Sequence, residues 1–374
     1  MESDNMIYLD YSATTPVNEI VLNVFVDASR RFFVNPNSAY PEAKASQTMI
    51  EGASERIRSH LHLTSHEVIY TSGATEANNL AIKGVALKQQ NIGKHIIMSP
   101  FEHSSVSACF GYLQKQGFSV DVLSFNSDGT VDLENLKQMM RQDTILVSVC
   151  GVASELGNLQ PIDAISKIVH SYPNAVFHSD MTQAIGKTAV KLEGVDLITL
   201  SAHKIYGLKG VGALLRRDAI KIIPQIHGGK SSSNLRSGTP SLPLVLSLEK
   251  AIDIATSDLA KNHLIIRKLH QQLISGLNDI SGCVINSTVA GIPQITNVSV
   301  VTMEANDLQA YLSQQGIYVS TQSACSSGTA RSEAVYRLTK SEAQARSSIR
   351  ISISHLTTES EINALLKAIG SVAL

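Results

Sequence analysis

A lysine and an aspartate, each placed just after an apolar segment, point most directly to chemistry in this chain. Lys204 ends the sequence Ser-Ala-His-Lys after the apolar run 197–200, and Asp180 follows the run 175–177. A partly desolvated lysine keeps a nucleophilic amine that can form a Schiff base. An acidic residue can pair with a pyridinium nitrogen, and the two together are what pyridoxal phosphate requires of a protein. Taken alone, a lysine after a strand is more commonly a surface residue, so the interpretation depends on the pair.

A turn of small residues offers a place for the phosphate of such a cofactor. Residues 71–79 read Thr-Ser-Gly-Ala-Thr-Glu-Ala-Asn-Asn, and Gly73, Ala74 and Thr75 fall where a helix should begin. Unpaired amides at a helix start, with hydroxyl groups beside them, bind anions. The alternative is an ordinary capped helix, with Ser72 or Thr75 as its cap and Glu76 in the first turn.

Two histidines and an arginine fit either a cofactor site or a structural role. His103 follows the break at Pro100, where an imidazole can stack on a planar ring or move protons near neutral pH. His203 precedes the lysine and can contact phosphate. Arg350 lies inside an alternating strand, and its planar guanidinium matches a substrate carboxylate. The alternatives are hydrogen-bonded structural histidines and a salt bridge on an exposed strand face.

Cys325 differs from the other cysteines in its surroundings. Cys109, Cys150 and Cys283 lie among apolar residues and are interpreted as buried structural thiols. Cys325 lies in the polar segment 320–329, which is rich in Ser and Thr and is expected to be an exposed loop. Exposed free cysteines are usually selected against unless they react. The scattered cysteines form no metal or dithiol pattern, so no metal site is predicted.

The composition excludes several classes of function. The 374 residues include 31 Lys and Arg against 32 Asp and Glu, a net charge of −1. This balance argues against nucleic acid or a membrane surface as the main partner. No apolar run is long enough to span a bilayer, and the N-terminus lacks the pattern of a secretory signal. We therefore expect a cytoplasmic protein.

Strand and helix signals alternate through the first part of the chain, which predicts an α/β fold with a mostly parallel sheet covered by helices. Ligands collect at the carboxyl ends of such strands, where Asp180 and residues 201–204 lie. After Pro240 a long helical segment at 242–278 leads into a smaller α/β lobe. We expect a large domain at 14–245 and a small domain formed by 1–13 and 246–374. The apolar runs that predict the sheet are residues 68–70, 95–98, 120–123, 145–149, 175–177, 197–200 and 211–215.

With these residues assembled, the chain resembles the cysteine desulfurases, which are fold-type I pyridoxal-phosphate enzymes of the class V aminotransferase group. The similarity runs nearly from end to end; each motif is weak alone, and the ordered set is specific. The resemblance implies a large domain with a mostly parallel, seven-stranded sheet. The motifs are residues 8–16, 71–76, Glu102-His103, Asp180 with Gln183, 201–207, 236–239, 323–325 and 347–350.

The resemblance also implies a role for each matching residue that faces the cofactor. Lys204 would form the Schiff base, Asp180 would pair with the ring nitrogen, and Gln183 would contact the ring hydroxyl. His103 would stack over the ring and handle protons, and Ser154 would contact the ring oxygen. The implied phosphate site consists of Gly73, Ala74, Thr75, Ser201 and His203, with Thr239 reaching it from the neighbouring subunit of a homodimer.

The implied reaction converts L-cysteine to L-alanine and leaves its sulfur as a persulfide on the enzyme. Asn35 and Arg350 would take the substrate carboxylate. Cys325 would accept the sulfur on a long mobile loop at about 321–346. The persulfide would then pass to an acceptor protein, either an iron–sulfur scaffold or a thiolation enzyme.

Three positions depart from the pattern of the family. Ser154 stands where an asparagine is usual, Tyr40 replaces a histidine, and residues 230–234 replace a Gln-Glu pair. A related lyase for selenocysteine or a class V aminotransferase therefore stays open as an alternative. A catalytically idle assembly partner with the same fold is the alternative from another class.

Overall fold

The computed structural model describes residues 6–229, 233–321 and 331–373 of the chain. Within these ranges the strands are β1 (Ile7–Tyr8), β2 (His66–Thr71), β3 (His95–Met98), β4 (Ser119–Val122), β5 (Thr144–Ser148), β6 (Val176–Asp180), β7 (Leu197–Ser201), β8 (Gly212–Arg217), β9 (Cys283–Ile285), β10 (Ile295–Val300), β11 (Ile317–Tyr318) and β12 (Ser348–Ser352). The helices are α1 (Glu19–Arg31), α2 (Pro41–His60), α3 (Ala74–Gln89), α4 (Ser104–Lys115), α5 (Leu133–Met139), α6 (Ile162–Val169), α7 (Leu242–Ser257), α8 (Leu259–Asn278), α9 (Ala305–Gln314), α10 (Glu333–Thr339), α11 (Glu342–Arg346) and α12 (Glu359–Gly370).

The main sheet has seven strands in the order β2-β8-β7-β6-β5-β3-β4. Strand β8 is antiparallel to both of its neighbours, and the other pairs are parallel. Every residue of β5, β6 and β7 is buried, as expected for parallel strands covered on both faces. Each of the seven apolar runs forms one of these strands, so the predicted mostly parallel sheet is confirmed.

The direction of the central strands positions the chemistry. Because β6 and β7 are parallel neighbours, their carboxyl ends meet at one edge of the sheet. Asp180 is the last residue of β6 and Ser201 is the last of β7. A 3₁₀ turn, Ala202–Lys204, follows β7 directly and carries the lysine.

A second core lies around the antiparallel sheet β12-β10-β9 and the short parallel pair of β1 and β11. Helices α8, α9 and α12 supply buried leucines to it, such as Leu273, Leu308 and Leu365, and the N-terminal segment supplies Leu9. The domain boundary near residue 245 stays a prediction. Among the described residues, none of the helices combines the length and the apolar character that a bilayer crossing needs.

The single long helix predicted at 242–278 is wrong, because the segment forms two helices. Asp258 separates them with a backbone at φ −89° and ψ 0°, and its N–H closes the last turn of α7 on the carbonyl of Ile254. Aspartate competes with the helix backbone for hydrogen bonds and favours helix ends. The apolar side chains of α7 belong to the core of the main sheet, as with Leu248, whereas those of α8 belong to the second core, as with Leu269. The chain therefore turns where it passes from one core to the other.

The long loop predicted at about 321–346 is also wrong for its second half, because residues 333–346 form α10 and α11. The hydroxyls of Ser332 and Ser341 accept hydrogen bonds from backbone amides at the two helix starts. Val335 and Ala345 are buried in a small apolar cluster with Leu156. Each helix has two turns or fewer, too short for a clear hydrophobic period. Residues 322–330, which include Cys325, lie outside the described residues.

Candidate active site

A cavity of about 450 Å³ opens at the carboxyl edge of the main sheet. This volume is within the usual range for small-molecule sites. Asn35 and Thr239 are exposed, and neither lines the cavity in this chain. The predicted site residues that line it are Gly73, Ala74, Thr75, His103, Ser154, Asp180, Gln183, Ser201, His203, Lys204 and Arg350.

The departures from the family pattern lie in different places. Ser154 lines the cavity, and its backbone carbonyl accepts a hydrogen bond from Arg350. Tyr40 is an exposed residue that precedes the first turn of α2, and it does not line the cavity. Residues 230–232 lie outside the described residues. Of these changes, the structure brings only Ser154 to the site.

The start of α3 forms one end of the cavity. Gly73 is the residue that caps this helix, and among the described residues the cap has no side-chain hydrogen bond to the first-turn amides. A Ser72 or Thr75 cap is therefore wrong, because the cap position is Gly73, which has no side chain and adopts a positive φ of 154° that favours glycine. Glu76 instead accepts a hydrogen bond from the amide of Ser72 at 2.8 Å. The uncapped amides are left to bind an anion.

The side of the cavity behind the start of α3 is formed by main-chain atoms, without side chains at Gly73 and Gly212. A Cβ atom added at Gly212, the first residue of β8, would lie 2.7 Å from the Cα of Gly73 and 2.5 Å from the carbonyl oxygen of Leu200. A Cβ on Gly73 would lie 3.5 Å from Oγ of Ser201. The hydroxyl of Ser201 is therefore a near neighbour of the helix start.

Asp180 is buried and held by uncharged donors. Asn78 Nδ2 donates to its Oδ2 at 2.8 Å, and the amide of Thr182 donates to its Oδ1 at 3.0 Å. Asn78 is itself fixed by Thr199, whose hydroxyl donates to Asn78 Oδ1 at 2.6 Å. These contacts orient the carboxylate without offsetting its charge, which suits a cationic ring nitrogen.

The same asparagine reaches His103 through a serine. Asn78 Nδ2 donates to Ser105 Oγ at 2.9 Å, and that oxygen lies 2.8 Å from Nδ1 of His103. The Ser105 amide also donates to Nδ1, at 3.2 Å. An accepting Nδ1 leaves the proton of the neutral ring on Nε2. Burial lowers the pKa of His103, with Lys204 and Arg350 lowering it further against the opposing charge of Asp180, so the ring is neutral at pH 7.

Lys204 is positioned by the N-terminal segment of the chain. Its Nζ donates to the carbonyls of Ser12 and Ala13 at 2.7 and 2.6 Å. The Ser12 amide is in turn held by Ser352 Oγ at 2.9 Å, a contact between the first residues and β12. The amine therefore depends on residues nearly two hundred positions away in sequence.

Arg350 is only 1% exposed, so a salt bridge on an exposed strand face is wrong. β12 pairs with β10 inside the second core, which buries this side chain. Its NH2 group donates to Asp10 Oδ1 at 2.8 Å and its NH1 group to the Ser154 carbonyl at 3.0 Å. Its Nε atom is buried and has no hydrogen-bond partner within the described part of the chain. The guanidinium reaches the cavity, but a carboxylate of the protein already binds it.

The cysteines differ from the prediction in one case. Cys109 and Cys150 are buried as predicted, whereas Cys283 is only half-buried because it lies on β9 at the edge of its sheet. Cys150 lines the cavity. Burial raises the pKa of its thiol well above the ordinary value, so it is a poor nucleophile.

The carboxyl group of Glu102 lies beside Cys150, and the sequence analysis gave it no separate role. Glu102 Oε1 accepts hydrogen bonds from Ser99 Oγ and the Cys150 amide, both at 2.7 Å. Its Oε2 is a buried atom for which the residues that the structure describes supply no hydrogen-bond partner. Burial raises the pKa of Glu102 to about 8.

The sequence prediction missed the residues that hold Asp180 and Arg350 in place. Asn78 and Thr199 are completely buried, and Asp10 holds Arg350. A signal exists for Asn78, because a polar residue there interrupts the apolar face of α3. Asp10 carries no such signal, since its partner is 340 residues away.

The chain is similar to known proteins along most of its length. It matches the aminotransferase class-V family over residues 7–365. It is 37% identical over 371 residues to a cysteine desulfurase IscS of Dictyoglomus turgidum, covering 98% of this chain and 94% of that protein. It is 39% identical over 372 residues to a cysteine desulfurase IscS of Vibrio cholerae, covering 97% and 91%. Among solved structures, a NifS-like protein superposes with a TM-score of 0.92 at 34% identity, covering 98% of this chain and 99% of that one.

Proposed function

Because this chain belongs to the class-V aminotransferase family, we propose that it works as a cysteine desulfurase with pyridoxal phosphate as its cofactor. The family resemblance expected from the sequence is confirmed by relatives that match nearly the whole chain. One observation carries the proposal: Lys204, Asp180 and the uncapped start of α3 line a single cavity.

The donor set fits the cofactor. The α3 amides, Thr75, Ser201 and His203 would hold a phosphate, and Lys204 would bond to the aldehyde carbon. Burial lowers the pKa of His203 to about 4, with nearby lysines adding to the effect, so it meets a phosphate as a neutral hydrogen-bond donor. Asp180 would face the ring nitrogen. When bound, pyridoxal phosphate supplies an electron sink for reactions at the α and β carbons of an amino acid.

The protein residues then bind, orient and move protons. Arg350 would take the carboxylate of L-cysteine, sharing its guanidinium with Asp10. The Nζ of Lys204 would be the group that carries the α-proton of the substrate. His103 can exchange a proton at Nε2, because Ser105 occupies Nδ1.

The sulfur step needs a thiolate that reaches the substrate and then leaves with its cargo. Cys150 lines the cavity but stays protonated, so it does not compete for the role. We assign the attack to Cys325, which lies outside the described residues. The Cβ–S bond of the substrate breaks, a bond forms from Cys325 Sγ to that sulfur, and Cβ gains a proton. The products are L-alanine and a persulfide on Cys325, so atoms and electrons balance without an oxidant.

The protein partners are part of the same proposal. Thr239 is exposed and lines a second pocket together with Ser72, which also lines the cavity. This exposed position suits contact with the phosphate site of a second subunit. Asn35 is also exposed, and in such a dimer it would bind the substrate in the cavity of the second subunit. The persulfide would pass to an iron–sulfur scaffold or a thiolation enzyme.

The test uses the full chain loaded with pyridoxal phosphate and incubated with L-cysteine. We expect alanine and protein-bound sulfur in equal amounts. Cys325→Ala should keep the cofactor band and lose sulfur transfer, while Cys283→Ala, the matched control, should behave as the wild type. Lys204→Ala should lose the covalently bound cofactor.

Three outcomes would contradict the proposal. Undiminished alanine production by Cys325→Ala would remove the role given to that thiol. A keto acid as product would favour an aminotransferase, and activity restricted to selenocysteine would favour the related lyase.

A further inference from the structure

Lys187 is a buried amine beside the site that the proposed reaction leaves without a role. It lies in the segment after β6, four residues beyond Gln183, and its Nζ donates to Oε1 of that glutamine. Burial lowers the pKa of the Lys187 amine well below its ordinary value. The charged groups that face it are Lys204 and Arg350, both cations that lower it further. Lys187 as a whole is half-buried, but its amine is desolvated, and a desolvated amine costs free energy unless it is hydrogen-bonded.

Its partner Gln183 is held at both ends. Gln183 Nε2 donates to the Ser12 carbonyl at 2.9 Å, and that carbonyl also accepts Lys204 Nζ at 2.7 Å. Ser12 offers an acceptor to the NH₂ end of the carboxamide and Lys187 offers a donor to its oxygen, so the two partners together favour this orientation. Lys187, Gln183, Ser12 and Lys204 therefore form one hydrogen-bonded chain.

We propose that Lys187 is a positioning residue that fixes the carboxamide of Gln183, so that its NH₂ end faces the cavity and the ring hydroxyl of the cofactor. The inference rests on the proposed function, which places pyridoxal phosphate in that cavity. Without the amine, Gln183 Oε1 would be buried with no donor, and the side chain would turn away. Lys187 then acts on the cofactor only through Gln183.

The measurable consequence is the acidity of the nitrogen that joins Lys204 to the cofactor. A hydrogen bond donated to the ring hydroxyl oxygen makes that oxygen less basic, so the neighbouring nitrogen releases its proton at lower pH. Loss of the donor should shift this titration to higher pH. One hydrogen bond corresponds to about a tenfold change in the ionisation constant, or about one pH unit.

The experiment follows the visible absorption of the holoenzyme against pH, without substrate. Lys187→Met keeps the length of the side chain and removes its donor, and Gln183→Leu removes the carboxamide. We expect each to raise the titration midpoint by about one unit, and the double variant to match Gln183→Leu alone. Lys191→Met, an exposed lysine nearby, is the control and should titrate as the wild type. Lys187→Arg retains a donor and should stay near the wild type, which keeps the test valid if the methionine variant fails to fold.

Three results separate the possibilities. A wild-type midpoint in Lys187→Met would overturn the inference. Additive shifts in the double variant would also overturn it, because they would mean that Lys187 acts by charge and not through Gln183. A wild-type protein that shows no absorption band on titration with pyridoxal phosphate would overturn the proposed function itself, and the inference with it.

Discussion

The two halves of the cavity hold their charged residues in opposite ways. Asp180, in the cofactor half, is fixed by the neutral donors Asn78 and Thr182. Arg350, in the substrate half, is fixed by the carboxylate of Asp10. A site held by neutral dipoles is preorganised for a ligand of opposite charge. An arginine already paired with an anion must exchange or share that partner to bind a second one.

This difference follows from where the halves come from in the fold. Asp180 and Thr199 lie on β6 and β7 of the main sheet, and Asn78 lies on α3, the helix that packs against them. Arg350 comes from β12 in the second core, and Asp10 comes from the N-terminal segment, where it also accepts a hydrogen bond from Ser320 Oγ at 2.9 Å. The carboxylate of the cofactor half is therefore held by the main sheet and its covering helix, whereas the arginine of the substrate half and its counter-ion come from the second core and the N-terminal segment.

The largest effect is expected from removing the charge in the cofactor half. Asp180→Asn keeps the shape and most hydrogen bonds but loses the anion that stabilises a cationic ring nitrogen. We expect kcat for alanine formation to fall about 10³-fold, or about 4 kcal/mol, with the cofactor still bound. Steady-state alanine production and cofactor absorption measure the two effects. A wild-type kcat in this variant would contradict the prediction, because it would show that catalysis does not depend on the negative charge of Asp180.

A smaller effect, on stability, is expected in the substrate half. Asp10→Asn leaves the buried guanidinium of Arg350 without its counter-ion and should lower the free energy of unfolding by about 3 kcal/mol. L-alanine, a carboxylate ligand, should restore part of this loss in the holoenzyme. Denaturant unfolding with and without L-alanine measures both.

The surface pair of Asp27 and Arg31, both about two-thirds exposed, provides the control for this prediction. Asp27→Asn should change stability by less than about 0.5 kcal/mol and show no rescue. Equal losses in the two variants would erase the distinction between a buried and a surface pair.

A third carboxyl sharpens the comparison, because Glu102 is held by neutral donors as Asp180 is, yet its second oxygen has no hydrogen-bond partner among the described residues. With the Glu102 pKa raised to about 8, the native state holds a proton that the unfolded state releases above about pH 4.3. Stability should therefore fall as pH rises through this window, by up to about 1.4 kcal/mol per unit. Glu102→Gln mimics the protonated form, so its stability relative to the wild type should increase from pH 5 to pH 8. Urea unfolding at each pH tests this, and a difference independent of pH would contradict it.

The sequence predicted the sheet and most of the cavity because both depend on local patterns. Seven apolar runs gave the strands, and polar residues at their ends, such as Asp180 and Ser201, met at one edge. The antiparallel direction of β8 is not visible in its apolar run. Helices α10 and α11 were missed because they are too short for a hydrophobic period to emerge.

The network behind the site could not be predicted in the same way. Asn78 interrupts an apolar helix face, a weak sign that reveals burial but not the partner. Asp10 and Ser12 act through partners that only folding brings near. Thr239 and Asn35 were predicted from the family resemblance, and they lie outside the cavity of a single chain. Their roles depend on a second subunit and stay predictions.

The glycine wall behind the helix start constrains how this protein can change. At position 212 there is no room for a single extra carbon between the backbones of Gly73 and Leu200. The anion-binding end is thus shaped by main chain, whose chemistry is the same whatever the neighbouring side chains become. Substitutions elsewhere in the cavity can change its side chains, and with them the choice of substrate. The anion-binding end cannot change in this way, because it has no room for a side chain at position 212.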